Sequence, residues 1–307
     1  MTRLESTRGF GKPRPRVLRR LNGAGVFGLP AVLFLLVISV YPLAQLLVMS
    51  VHTVTPTTLL REWPYVGLSN YQTALASPQF RQALITTLVF VALVLVANTL
   101  GSLAAALILR RPTRGNRITL SLMVFVWALP AVVNGSLWRF LFAGDGAING
   151  IVMSLGIVSE PILFLANERL ALLSLAFVSL WTGIPFGTVV LRAALLDVPP
   201  ELVDAARIDG ANGRQVFRYV TFPVLWPTIL VLTVLTVLYA FRSFDLIYVM
   251  TLGGPGTATT TLPFLAYRLA FLNFKFSLGS AVAVIAMGMV LIMAVVYLRA
   301  SRSEARS

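Results

Sequence analysis

Eight side chains suited to holding a small molecule rather than transforming one lie within or beside the apolar stretches of this chain: Asn134, Trp138, Trp181, Tyr239, Phe241, Arg242, Asp245 and Tyr248. Aromatic faces, combined with amide, phenol and charged groups in a polar cavity, are what a hydroxylated ligand such as a sugar requires. Trp and Tyr near the ends of apolar runs also suit the interfacial belt of a membrane protein. Arg242 and Asp245 are three residues apart, so on one helix they would share a face and neutralise each other. Such a pair serves either as structural glue or as part of a ligand path. Arg242 alone would suit an anionic ligand, whereas Asp245 beside it argues for a neutral one, so charge does not choose between them.

The parts for covalent or metal chemistry are missing. His52 is the one histidine and there is no cysteine, which excludes a His-based triad, a thiol nucleophile, a disulfide and a Cys-ligated metal within one copy. No catalytic carboxylate pair or Ser-Lys set falls inside an apolar run. A GxxxxGK[ST] phosphate loop is also absent, since Gly11-Lys12 is followed by Pro13. The chain therefore carries no cofactor or ATP site of its own.

The elements that must position the eight residues follow from composition. Of 307 residues, 57% are hydrophobic and 12% charged, with a mean hydropathy of +0.85. That is more apolar surface than a water-soluble core of this size needs. A spanning helix takes about 20 mostly apolar residues, and six runs qualify, at about 26–49, 83–109, 118–142, 170–196, 226–249 and 279–298. The chain is expected to be all-α, with a transmembrane domain over 23–300. The first run follows a basic start, is too long for a secretion signal and lacks a small-residue cleavage site, so it is expected to be a retained anchor. Pro42, Pro130, Pro185 and Pro227 are read as kinks tolerated in lipid. Gly101 with Ala97, Ala104 and Ala105 offers a small-residue face for helix packing.

Basic residues set the orientation. Lys and Arg outside the runs number seventeen on the side of the N-terminal tail (1–22), the 110–117 gap, the 197–223 loop and the C-terminal end (Arg299 and the 301–307 tail), against five on the other side. The positive-inside rule puts both termini and the 197–223 loop in the cytoplasm. The tail over 1–22 is expected to be disordered or bound to anionic lipid headgroups. Arg139 and Arg192 fall near run ends, where they can snorkel. The formal charge of +14 is explained by topology, and no nucleic-acid-binding fold accommodates such apolar runs.

The 197–223 loop reads DVPPELVDAARIDGANGRQVFRYVTFP. Asp197 is expected to cap a short helix, Pro199 and Pro200 suit its first turn, and Glu201 and Asp204 favour the positive end of its dipole. Leu202, Val203 and Ala206 are expected on one face, with Glu201, Asp204 and Arg207 on the other. Gly210 stops this helix, Asn212 starts a second one carrying Phe217 and Val220, and Pro223 closes the unit at the membrane. Helices this short need support from both the flanking spans and a cytoplasmic groove.

At these residues the chain resembles the membrane subunits of bacterial ABC importers. Asp204-Ala205-Ala206, Ile208-Asp209-Gly210-Ala211, Phe217 and Val220-Thr221-Phe222-Pro223 are similar to the family's EAA signature, with Asp204 in place of the usual Glu, Val220 of Ile and Phe222 of Leu. Asn70-Tyr71, Leu137-Trp138-Arg139-Phe140-Leu141-Phe142, Gly146-Ala147-Ile148-Asn149, Phe244-Asp245 through Thr251, Gly253-Gly254-Pro255 and Ala266-Tyr267-Arg268 through Gly279 resemble the carbohydrate-uptake permeases of the maltose or glycerol-3-phosphate first-permease type. The large extracytoplasmic insertion of some maltose-type relatives is absent, 52–82 being a short loop.

The resemblance implies a type I ABC importer permease fold with six transmembrane helices, in the cytoplasmic membrane of a prokaryote. It implies transport of a sugar or polyol, phosphorylated or not, with no enzyme activity in this chain. It also implies partners: ATPase subunits that bind ATP and Mg, a second homologous permease, and an extracytoplasmic solute-binding protein. Coupling to the ATPase would fall to Glu201, Asp204, Ala205, Ala206, Asp209, Gly210, Ala211, Phe217 and Pro223. A secondary carrier is the competing class, but no acidic residue or histidine lies in the second, third or sixth run to serve as a proton relay.

Overall fold

A computed structural model describes residues 21–304, with side chains described from Pro30 to Val295 and at Tyr297 and Arg299. The basic tail expected over 1–22 lies outside the described residues except for its last two, and of the 301–307 tail only the backbone to Glu304 is described. In chain order the helices are α1 Leu21–Ser50, α2 Ser69–Ala76, α3 Pro78–Ile108, α4 Arg114–Trp127, α5 Ala131–Leu141, α6 Ala147–Ser154, α7 Glu168–Leu196, α8 Pro200–Ile208, α9 Gly213–Val216, α10 Phe222–Phe241, α11 Phe244–Met250, α12 Leu262–Tyr267 and α13 Phe276–Glu304. Among the described residues the only β contact is an isolated bridge between His52 and Tyr65.

The chain divides into two units at Leu46. The first contains most of α1, whose side chains from Val32 to Ile38 are apolar and exposed, as expected of a helix solvated by lipid. In the second unit, Ser50 donates to or accepts from the Tyr71 hydroxyl at 2.7 Å, and Asn70 Nδ2 donates to the Ser50 and His52 carbonyls at 2.9 and 3.0 Å. Asn70 and Tyr71 thus fasten the segment that leaves α1.

Helix starts follow local chemistry. Ser77 Oγ accepts from Phe80 N–H, with Pro78 at the first position of α3. Asn167 accepts from the N–H groups of Arg169 and Leu170, with Glu168 in the first turn of α7. Each side chain satisfies amides that the helix cannot satisfy itself.

The centre of the second unit is α3 packed on α7, with α10 against both. The approach is close: a Cβ on Gly101 would sit 2.7 Å from Ile184 Cδ1, and one on Gly187 would sit 2.2 Å from Ser102 Oγ. Small residues permit such contact in lipid, where van der Waals packing rather than the hydrophobic effect joins helices. The packed face runs through Asn98, Ser102 and Ala106, all buried, whereas Ala104 of the expected small-residue face is exposed. One core, around Phe90, Leu175, Val178, Ile247, Leu262 and Phe264, continues to α11, α12 and α13. A second, of Ala106, Leu191, Leu195, Leu225, Ile229 and Leu232, lies toward the end of the bundle that carries α8.

By length and composition five helices can cross a membrane: Pro30–Ser50, Pro78–Ile108, Glu168–Leu196, Gly213–Phe241 and Phe276–Val295. A sixth span is made only by the pair Arg114–Trp127 and Ala131–Leu141, which is bent by 101°. The third expected run is therefore two helices meeting at a sharp bend rather than one kinked helix. Pro130 caps α5 with extended ψ instead of continuing α4, because a proline disfavours helical geometry at the residue before it and donates no hydrogen bond. The fifth expected run also breaks, between α10 and α11 at Arg242-Ser243. At its other end it reaches back into the loop, since α9, a π segment Phe217–Thr221 and α10 form one unbroken helix.

Candidate functional site

Two features gather the polar residues of the second unit: the helical loop that follows α7, and a cavity at the break between α10 and α11. The loop folds on itself. Val198, Val203 and Val216 are buried together, with Ala206, Ala211 and Val220 packed around them. The element expected to rely on outside support thus has a small core of its own.

Gly210 ends α8 with φ +85°, the left-handed region. Its N–H donates to Arg207 O at 3.0 Å, and Ala211 N–H donates to Ala206 O at 2.9 Å. Together these bonds satisfy the last carbonyls of the helix in a Schellman arrangement. The chain restarts at once: Asn212 Oδ1 accepts from Gln215 N–H at 3.0 Å while Gln215 Oε1 accepts from Asn212 N–H at 2.8 Å, a reciprocal capping box.

Several expectations for the loop are corrected. Asp197 does not cap α8; it terminates α7, and Pro199 occupies the cap position with no side-chain bond. Pro200 has no N–H, so less is left there for a carboxylate to satisfy. Leu202 is not on the inner face with Val203; it is 50% exposed, and Ile208 is 86% exposed. The outer surface of α8 therefore presents Leu202, Ala205 and Ile208 beside Glu201, Asp204 and Arg207. Asp204 and Arg207 form an exposed ion pair at 3.7 Å, an arrangement that contributes little in water. Phe217 and Val220 lie in the π segment, and Pro223 does not close the unit. The Phe222 N–H reaches back five residues to Phe217 O, and this wider turn lets the helix run past a proline that cannot donate.

Gly210 has nothing within 4 Å of where a Cβ would stand, so its requirement is conformational rather than steric. Gly210→Val is expected to cost about 1–2 kcal/mol through the left-handed backbone, whereas Gly210→Asn, which tolerates that region, is expected to lose much less. Thermal midpoints of the two variants, measured side by side, check this; equal losses would contradict it.

The cavity, of about 400 Å³, is lined by Ala131 and Asn134 of α5, Thr182 of α7, Leu235, Leu238 and Tyr239 of α10, and Arg242, Ser243, Asp245 and Leu246 at the helix break. Four of the eight expected ligand-path residues meet here: Asn134, Tyr239, Arg242 and Asp245. Arg242 and Asp245 do not form the expected pair. Among the described residues Asp204–Arg207 is the one ion pair within 4.0 Å. A tight turn, with Phe244 N–H on Arg242 O at 2.7 Å, separates the two charges, so both face the cavity independently.

The other four lie elsewhere. Trp138 is buried among Phe142, Phe177 and Trp181, with ring centroids 5.2, 4.9 and 5.5 Å away. Phe241 is in the core, and Tyr248 stacks on Phe244 at 5.8 Å. Arg139 donates from Nη1 to Val249 O at 3.0 Å, joining α5 to α11.

Neutral polar residues complete the site. Thr182 Oγ1 and the Tyr239 hydroxyl are 2.9 Å apart, and both also line a second space of about 180 Å³ with Asn98, Ser179 and Thr236. Asn98 Nδ2 donates to Thr236 Oγ1 at 3.0 Å. The Oδ1 atoms of Asn98 and Asn134 and the Ser179 hydroxyl are buried without a partner. A buried acceptor left unpaired is costly. A single amide in an otherwise uncharged span was the sequence signal for Asn98. No group of three or more His, Cys, Asp or Glu among the described residues could hold a metal ion.

Residues 97–306 match the family described as binding-protein-dependent transport system inner membrane component. Over 275 residues the chain is 32% identical to the trehalose/maltose transport system permease protein MalF of Thermococcus litoralis, covering 89% of this chain and 92% of that protein. It is 30% identical over 279 residues to the sn-glycerol-3-phosphate transport system permease protein UgpA of Escherichia coli, covering 90% and 93% respectively. A chain of a bacterial ABC transporter involved in the import of the acidic polysaccharide alginate shares the fold, with a TM-score of 0.80 at 20% identity over 93% of this chain and 97% of that one.

Proposed function

The chain belongs to the family of binding-protein-dependent transport system inner membrane components, and from that premise we propose that it is the permease subunit of an ATP-driven importer for a sugar or related polyol. It lies in the cytoplasmic membrane with both termini and α8 on the cytoplasmic side. ATP and Mg are bound by separate ATPase subunits, a second homologous permease completes the pathway, and an extracytoplasmic protein delivers the solute. The names of the two relatives, one for trehalose or maltose and one for glycerol 3-phosphate, support a hydroxylated substrate. The alginate transporter has been solved in complex with a periplasmic protein carrying an alginate pentasaccharide, which supports the delivery step.

The observation that carries the proposal is the outer surface of α8. A helix fixed to the bundle by its own valine core, yet presenting Leu202 and an almost fully exposed Ile208, is shaped for a groove in another protein. Of the EAA-like residues, Asp204, Ala205 and Gly210 border that surface, while Ala206 packs inward against the valines. The chain contains no cysteine, so Ile208→Cys introduces a single thiol. In native membranes it is expected to crosslink to an ATP-hydrolysing subunit, while Leu60→Cys, in the loop after α1, is not. Labelling of Ile208→Cys from outside intact cells, or crosslinking to no such subunit, would overturn the proposal.

The polar cavity is the proposed solute path. Asn134 Oδ1, unpartnered in the protein, would accept from a solute hydroxyl. Loss of one such bond is worth about 1–2 kcal/mol, so Asn134→Leu is expected to raise the uptake KM about 5- to 30-fold. An unchanged KM would remove Asn134 from the path.

A further inference from the structure

A third space, separate from the polar cavity, opens between α4 and α7 near the end of the bundle that carries α8. Its volume is about 390 Å³, and it is lined by Leu120, Ser121 and Val124 on one side and Val189 and Arg192 on the other. The other end of the α4–α7 contact is closed by Trp127 stacked on Phe186, with centroids 5.3 Å apart. Arg192 is held rather than loose: its Nε donates to Leu109 O at 2.9 Å, at the end of α3. That bond fixes the plane of the guanidinium and occupies one of its five N–H donors.

The surroundings carry one sign of charge. Arg110, Arg111, Arg114 and Arg117 stand on the turn between α3 and α4 and in the first turn of α4, all exposed. The sequence has no Asp or Glu from residue 63 to residue 144, and the first turn of α4 holds none to balance the positive end of its dipole. On α7 the nearest carboxylate to Arg192 is Asp197 at the helix end. None of these arginines is in an ion pair among the described residues. The walls above the charge are apolar and exposed at Val124 and Val189.

We propose that this space binds the headgroup of an anionic phospholipid. The phosphate accepts from the free guanidinium N–H groups of Arg192, the headgroup lies toward Ser121, and an acyl chain runs along Leu120, Val124 and Val189. A soluble anion would use the charge alone; the apolar walls immediately above it favour a lipid. Each basic residue near an anionic surface contributes about 1 kcal/mol, and a fixed site adds shape to that general attraction.

The test uses the full chain, with any subunits that co-purify, in a neutral detergent. Retention of single phosphatidylglycerol and phosphatidylcholine molecules with identical acyl chains is read by native mass spectrometry. A preference for phosphatidylglycerol of about tenfold is expected, the size that one to two well-placed basic residues provide. Val189→Phe and Val124→Phe fill the space from opposite walls and leave every arginine in place; either is expected to reduce the preference to about twofold or less. Thermal midpoints identify a variant that has lost its fold, in which case the other decides. Arg114→Gln with Arg117→Gln removes surface charge outside the space and is expected to keep most of the preference. Absence of preference in the parent chain, its survival in both filled variants, or an equal loss in the Arg114/Arg117 variant would overturn the site. Displacement of the lipid by excess inorganic phosphate at constant ionic strength would instead identify a free-anion site and overturn the lipid assignment.

Discussion

Gly187→Ala is expected to destabilise the membrane bundle by about 3 kcal/mol, at the upper end of the usual cost of overpacking. The added Cβ would lie 2.2 Å from Ser102 Oγ, 2.7 Å from Ser102 Cβ and 3.3 Å from Leu232 Cδ2. Turning the serine hydroxyl away leaves its Cβ in place, so α3 and α7 themselves must separate. Because α10 packs on both, the damage spreads to all three helices. Ser102→Gly removes both colliding atoms and is expected to rescue Gly187→Ala, less about 1 kcal/mol for a second helix glycine. Gly288 has nothing within 4 Å of its would-be Cβ, so Gly288→Ala serves as the neutral control. Thermal midpoints and membrane-inserted yield report the outcome, and additive losses in the double variant would refute the contact.

Ile208→Asp is expected to have the largest effect on transport. A central apolar anchor of an interface contributes about 2–4 kcal/mol, so its loss should reduce ATP-driven uptake about 30- to 1,000-fold. The side chain is already exposed, and stability and membrane level should therefore stay unchanged. Ile208→Leu, which keeps the apolar volume, is expected to retain most uptake. Normal uptake by Ile208→Asp would count against α8 as the coupling surface, and loss of the protein from the membrane would show that the residue acts in folding instead.

The spans were legible because about 20 apolar residues have few alternatives to crossing a bilayer. The loop was legible because Gly210 and Asn212 impose their backbone and capping chemistry locally. What escaped the sequence was decided by three-dimensional competition. Pro130 could have been a tolerated kink, but the chain bends by 101° there, with α5 packed against α11. Arg242-Ser243 contains no breaker, so nothing in the residue types foretold that α10 would stop there and hold Arg242 and Asp245 apart. Leu202 and Val203 are both apolar, and which of them turns inward depends on Val198 and Val216 closing a core across the loop. The cavity was half legible: charge and aromaticity drew attention to Arg242, Asp245 and Tyr239, while the neutral Thr182 and Ser179 carry little signal outside their fold.

The unbroken helix from Gly213 to Phe241 gives the bundle a mechanical axle. At 1.5 Å per residue it spans roughly 40 Å, with the capping box of Asn212 at one end and Tyr239 at the other. A twist imposed at Asn212 would turn the Tyr239 hydroxyl away from Thr182 without any intermediate hinge having to yield. The wide turn at Phe217–Thr221, where the hydrogen-bond register changes, and Pro227, which donates no bond, are the two irregularities along that length.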